Sequence, residues 1–76
     1  MLIENVFTIH EKEMAFLKYI IEGYDGLATI STIKRGISQV SIFVSNELEE
    51  ELLDIIKRAV KHKYFTAHFL WRVGDP

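Results

Sequence analysis

The sequence predicts an α+β fold: a ferredoxin-like βαββαβ sandwich, with a four-stranded antiparallel sheet in the order 4-1-3-2 and both helices on one face. Three observations carry that expectation. Two segments place their apolar residues at helical spacing on one side only. Four others are short, rich in β-branched or aromatic residues, and alternate between apolar and polar positions. Amphipathic helices must bury their stripes against a sheet, and right-handed crossovers leave one common solution for this order. The first and third strands are then central, and the second and fourth are edges.

Leu2 to Thr8 reads as the first strand. Ile3, Phe7 and Ile9 share one face, and Glu4 and Thr8 the other. Asn5 falls among the apolar residues and interrupts the pattern. A helix follows from about His10 to Glu22, with Thr8-x-x-Glu11 and His10-x-x-Glu13 as competing cap pairs and the first the better match. Met14, Leu17, Ile20, Ile21 and Tyr24 form its apolar side, with Phe16 at the rim. Lys12, Ala15, Tyr19 and Glu22 face water. Gly23 is placed as a left-handed terminator, and Asp25-Gly26 adds a turn.

Leu27 to Ile33 and Ile37 to Val44 read as two strands joined by Lys34-Arg35-Gly36, a spacing that suits a hairpin with a bulge. Their inward residues are Ala28, Ile30, Val40, Ile42 and Val44. The second helix starts at Ser45 or Asn46, with Asn46-x-x-Glu49 as its cap pair. Its stripe is Leu48, Leu52, Ile55, Ile56, Ala59 and Val60. Glutamates at its start and lysines and Arg58 near its end oppose the helix dipole. Tyr64 to Val73 closes the sheet, with Phe65, Ala67, Phe69, Trp71 and Val73 on one face. Tyr64, Thr66, His68, Leu70 and Arg72 take the other.

The 76 residues make a single domain, spanning 1–76, without internal repeat or linker. So short a chain buries only about 60% of its unfolded surface, which leaves a thin margin of stability. Cysteine is absent, which removes disulfides and thiolate metal sites. Extra support must come from packing or from a partner subunit. A formal charge of −2 argues against nucleic acid, whose binders carry a basic patch. No apolar run approaches a membrane span, and no basic segment followed by an apolar stretch marks a signal peptide. The expected compartment is the cytoplasm.

With both helices on one face, the other sheet face is left open. It is expected to hold Leu2, Val6, Ile33, Ile37, Phe43, Tyr64 and Leu70 among Thr29, Ser31, Gln39, Ser41, Thr66, His68 and Arg72. That mixture is more apolar than a solvated face needs, and such patches mark contact surfaces. A homodimer through the open face or an edge is therefore expected, with Phe43, Tyr64 and Leu70 as contacts.

The search for chemistry yields little. His10-Glu11-Lys12-Glu13 starts like a zinc-protease helix, but Met14 stands where the second histidine ligand belongs. His62 and His68 share no ligand spacing, and the dipole at a helix end accounts for His62. No nucleophile has a neighbouring base, and Gly23-x-x-Gly26 follows a helix where a phosphate cradle must open one. An outward Phe43 alone does not make a base-stacking platform. No catalytic residue, metal ligand or cofactor is expected.

The run Ala15 to Ala28 contains Phe16-Leu17-Lys18, Glu22-Gly23-Tyr24 and Gly26-Leu27-Ala28. It resembles a short bacterial domain-of-unknown-function family with an FLK-x-I-x-EGY-x-GLA core and an acidic second helix. The resemblance implies a compact stand-alone module and no particular mechanism. More loosely, the element order resembles ACT domains, ferredoxin-like regulators that often dimerise and bind amino acids near a glycine-bearing turn after the first strand. The corresponding turn here, Thr8-Ile9-His10-Glu11, has no glycine. Two expectations result. The first is a non-enzymatic interaction or regulatory module acting as a homodimer. The second is a sensor of an amino acid or other small molecule that uses His10, Tyr24 and Asp25.

Overall fold

The computed structural model describes residues 2–34 and 39–74, with the backbone alone for 32–34. The elements are β1 (Leu2–Ile9), α1 (Glu11–Glu22), β2 (Ala28–Lys34), β3 (Gln39–Ser45), a 3₁₀ turn (Asn46–Leu48), α2 (Glu49–Lys61) and β4 (Ala67–Val73). The four strands form one antiparallel sheet in the order β2-β3-β1-β4. That is the expected 4-1-3-2 read from the opposite edge. The hairpin turn expected at Arg35-Gly36, the open-face position of Ile37 and the side chain of Ile33 lie outside the described residues.

One cluster of buried side chains joins both helices to the sheet. Ile3, Phe7 and Ile9 of β1 and Val40, Ile42 and Val44 of β3 meet Leu17 and Ile21 of α1 and Leu52, Ile55, Ile56 and Ala59 of α2. Both apolar stripes therefore press on the same sheet face. Full burial of each large aliphatic side chain contributes roughly 1.5–3 kcal/mol. Phe65, between α2 and β4, closes the cluster.

Local details differ from the sequence expectations, each for a visible reason. His10, not Thr8, caps α1: its Nδ1 accepts the Lys12 N–H at 3.2 Å, while Thr8 stays in β1. Gly23 keeps right-handed geometry (φ −67°), and the left-handed residue is Gly26 (φ 72°). The chain runs on past Gly23 in a further turn, closed by Leu27 N–H to the Tyr24 carbonyl at 3.1 Å. The Asn46–Glu49 cap pair does not form, because Glu49 is drawn to β1 and β4. α2 ends in a Schellman motif: Tyr64 N–H donates to the Ala59 carbonyl and Lys63 N–H to that of Val60, both at 3.0 Å. Lys63 takes the left-handed position (φ 63°) where glycine is usual.

The largest correction concerns β4. It begins at Ala67, so Tyr64 is not part of the sheet. A bulge then leaves Leu70 without a partner between Phe69, which faces Phe7, and Trp71, which faces Val6. The extra residue reverses the alternation. Ala67 and Phe69 lie on the helix side, where Phe69 meets Phe7 edge to face at 5.5 Å. Beyond the bulge, Trp71 and Val73 move to the open side, and Arg72, expected there, turns to the helix side.

Candidate functional site

Three features are chemically distinct from the core: a polar anchor under β4, the open sheet face with its β4 edge, and a groove between the helices.

The anchor resolves the interruption at Asn5. Asn5 is fully buried on the helix side of β1, and its Nδ2 donates to Glu49 Oε2 at 3.1 Å. Arg72 donates to the same carboxylate through Nε to Oε2 at 2.6 Å and Nη2 to Oε1 at 2.9 Å. This two-point geometry is the strong form of an arginine–carboxylate pair. Hydrogen bonding from Arg72 holds the Glu49 carboxyl below its ordinary pKa, with help from Asn5 and the Arg72 charge and against partial burial. The same pairing raises the guanidinium pKa. The three residues tie α2's first turn to β1 and β4, a structural role with no nucleophile at hand. They settle which side chains the end of β4 turns outward.

The open face is not uniformly bare. Val6 and Ser41, opposite each other across β1 and β3, are at most 1% exposed although they lie on the side away from the helices. The Ser41 hydroxyl donates to the Glu4 carboxylate. Phe43 is half-buried beside them. Around this patch the face changes character: Leu2, Leu70, Trp71 (47% exposed) and Val73 (53% exposed) are all open. They gather on β4 and the adjoining end of β1, at the sheet's free edge. Two of the expected contacts, Phe43 and Leu70, therefore remain on or beside this surface. The third, Tyr64, does not: it follows α2 and stacks on Phe16 of α1, centroids 5.7 Å apart. Trp71, which single-phase alternation turned inward, stands on the face instead.

The groove has a volume of about 760 Å³. α1 contributes Phe16, Tyr19, Ile20 and Glu22, followed by Gly23 and Tyr24. α2 contributes Ile55, Arg58 and Ala59, followed by His62 and Tyr64. All three tyrosines of the chain line it. The Schellman turn delivers Tyr64 to the Phe16 ring, and Phe16 meets Tyr19 edge to face at 6.5 Å. Of the expected ligand residues, Tyr24 lines the groove and Asp25 does not. His10 lies at the opposite end of α1, whose 12 residues span roughly 18 Å. His10, Tyr24 and Asp25 thus do not converge. Sequence reading missed Arg58, His62 and Tyr64 as companions of Tyr24. The available signal was the placement of exposed aromatics Phe16 and Tyr19 three residues apart, on a helix whose core residues lie elsewhere.

Among the described residues, no group of three or more histidine, aspartate and glutamate side chains is arranged to hold a metal ion. No helix among the described residues is long and apolar enough to cross a membrane. A family model described as a domain of unknown function (DUF4911) matches residues 7–61, from Phe7 in β1 to the last residue of α2. No curated protein matches the chain.

Proposed function

The chain belongs to the DUF4911 family, and from that premise we propose that it is a small interaction or regulatory module that works as a homodimer. We read its arrangement as a ferredoxin-like sandwich, in which the second copy docks on the β4 edge and the adjoining open face. One observation carries the reading. Among the described residues β4 pairs with β1 on one side only, and along it Leu70, Trp71 and Val73 are exposed beside Leu2. An apolar edge strand invites another strand, and natural proteins guard such edges with charge, proline or cover. Among the side chains of β4, Arg72 is drawn under the sheet by Glu49, so its charge does not guard the outer surface.

A second copy is the occupant that fits. A strand of matching length satisfies the unpaired edge, and a two-fold arrangement covers both copies' apolar stripes in one contact. A chain of this size also has a thin core margin and gains from such a contact. Nothing in the reading calls for catalysis.

The test is the mass in solution. Sedimentation equilibrium at micromolar concentration is expected to give a dimer, and Leu70→Asp or Phe43→Asp to shift it toward monomer. Trp71 is the only tryptophan, so its emission is expected to move to longer wavelength on dilution. A monomer at every accessible concentration, with invariant emission, overturns the proposal.

A further inference from the structure

We propose that the groove between α1 and α2 is a binding site for a small aromatic carboxylate, a ligand with a flat apolar body and one anionic end. It lies in the helix layer, away from the dimer surface proposed above, and does not depend on it.

The walls favour a flat apolar body. Tyr19, Tyr24 and Tyr64 are the chain's whole complement of tyrosine, and with Phe16 they surround one concavity while remaining substantially exposed. The buried cluster is built from aliphatic residues and phenylalanine, so none of these tyrosines serves the core. Tyrosine pairs an apolar ring with a hydroxyl that wants a polar partner, and it is a preferred residue of binding surfaces. The floor, Ile55 and Ala59, is apolar, and the volume falls within the range of small-molecule sites.

Charge selects the head group. Arg58 and His62 stand one turn apart on the α2 side, both line the groove and both can donate hydrogen bonds. Among the described residues Arg58 pairs with Asp54, 3.3 Å away, and both side chains are 62% exposed. Such a pair contributes little and is readily exchanged for a ligand carboxylate that an arginine can grip at two points. Glu22, on the α1 side, is the opposing charge. It disfavours an anion placed near it, so the ligand's carboxylate belongs at the α2 wall and its ring against Phe16 and Tyr64.

The experiment titrates the ¹⁵N-labelled full chain with phenylacetate and, separately, with 2-phenylethylamine. Phenylacetate is expected to give saturable shifts confined to the amides of the groove, around Tyr24, Arg58, His62 and Tyr64. Arg58→Gln, at an exposed position, is expected to weaken it on the order of tenfold, the loss of one charge-assisted contact. Glu22→Gln is expected to strengthen it. Tighter binding of the amine, indifference to Arg58→Gln, or no saturable groove shift up to millimolar phenylacetate each overturns the proposal.

Discussion

Arg72 grips both carboxylate oxygens of Glu49, at 2.6 and 2.9 Å, and so fastens the last residues of the edge strand to the first turn of α2. Asn5 completes the grip from β1, through its amide nitrogen at 3.1 Å. Replacing Arg72 with methionine keeps most of the stem but leaves Glu49 a largely buried anion with Asn5 as its remaining partner among these three. A loss of stability is expected in urea denaturation, because the charge-assisted hydrogen bonds to Glu49 are removed and not replaced. Glu49→Gln is expected to cost less, because a neutral amide can still accept from arginine.

Acid should act through the same carboxylate. The Glu49 pKa in the folded chain lies below its usual value of 4.5. A depressed carboxylate pKa adds stability that is fully present above the unfolded value and is lost as pH falls through the folded one. The difference in stability between the parent chain and Glu49→Gln should therefore be constant above about pH 6 and shrink progressively below 4.5. Parallel acid-denaturation curves for the two chains would rule this out.

The backbone corrections give a test in which three small substitutions separate. Gly26 has φ 72° and open space where a Cβ would stand, so Gly26→Ala carries only the left-handed backbone cost of about 1–2 kcal/mol. Gly23 is right-handed, with only helix carbonyls near its missing Cβ. Gly23→Ala should be neutral within about 0.5 kcal/mol or slightly stabilising. Lys63 occupies the left-handed position of the Schellman turn. Lys63→Gly should stabilise by about 1 kcal/mol, the steric cost it removes exceeding the flexibility it adds. Thermal melts of the three variants check the order; a Gly23→Ala loss as large as that of Gly26→Ala would contradict it.

Element type and order were legible because each apolar stripe has one period and one job. Ile3, Phe7 and Ile9 at even spacing, and Leu52, Ile55, Ile56 and Ala59 at helical spacing, lead to the core in which they are found. What periodicity cannot carry is a change of phase. The bulge at Leu70 adds one residue to β4 and exchanges the faces of Trp71 and Arg72, and no local signal in Phe69-Leu70-Trp71 announces it. Asn5, Glu49 and Arg72 were each read singly, as a flaw, a cap and a surface charge. Their meeting depends on contacts 23 and 44 residues apart in the chain. The groove was hidden for a related reason. Tyr64 read as the first residue of a strand, and only a left-handed Lys63 swings it beside Phe16.

The phase change also yields the sharpest pair of mutations. With unbroken alternation, Trp71 would lie in the core and Arg72 in water. Trp71→Ser would then cost about 3–5 kcal/mol, like other large-to-small core changes, and Arg72→Ala almost nothing. The bulge inverts the ranking. Trp71 is 47% exposed on the open face, so its replacement should cost about 1 kcal/mol, chiefly through the cover it gives Val6 across the strands. Arg72→Ala should cost more, because it strands the Glu49 carboxylate. Both variants are compared by urea denaturation at high dilution, so that the proposed dimer contact does not enter the Trp71 value. Finding Trp71→Ser the more damaging by a clear margin would mean that β4 runs without its bulge. The anchor at Glu49 and the exposed edge would then be lost with it.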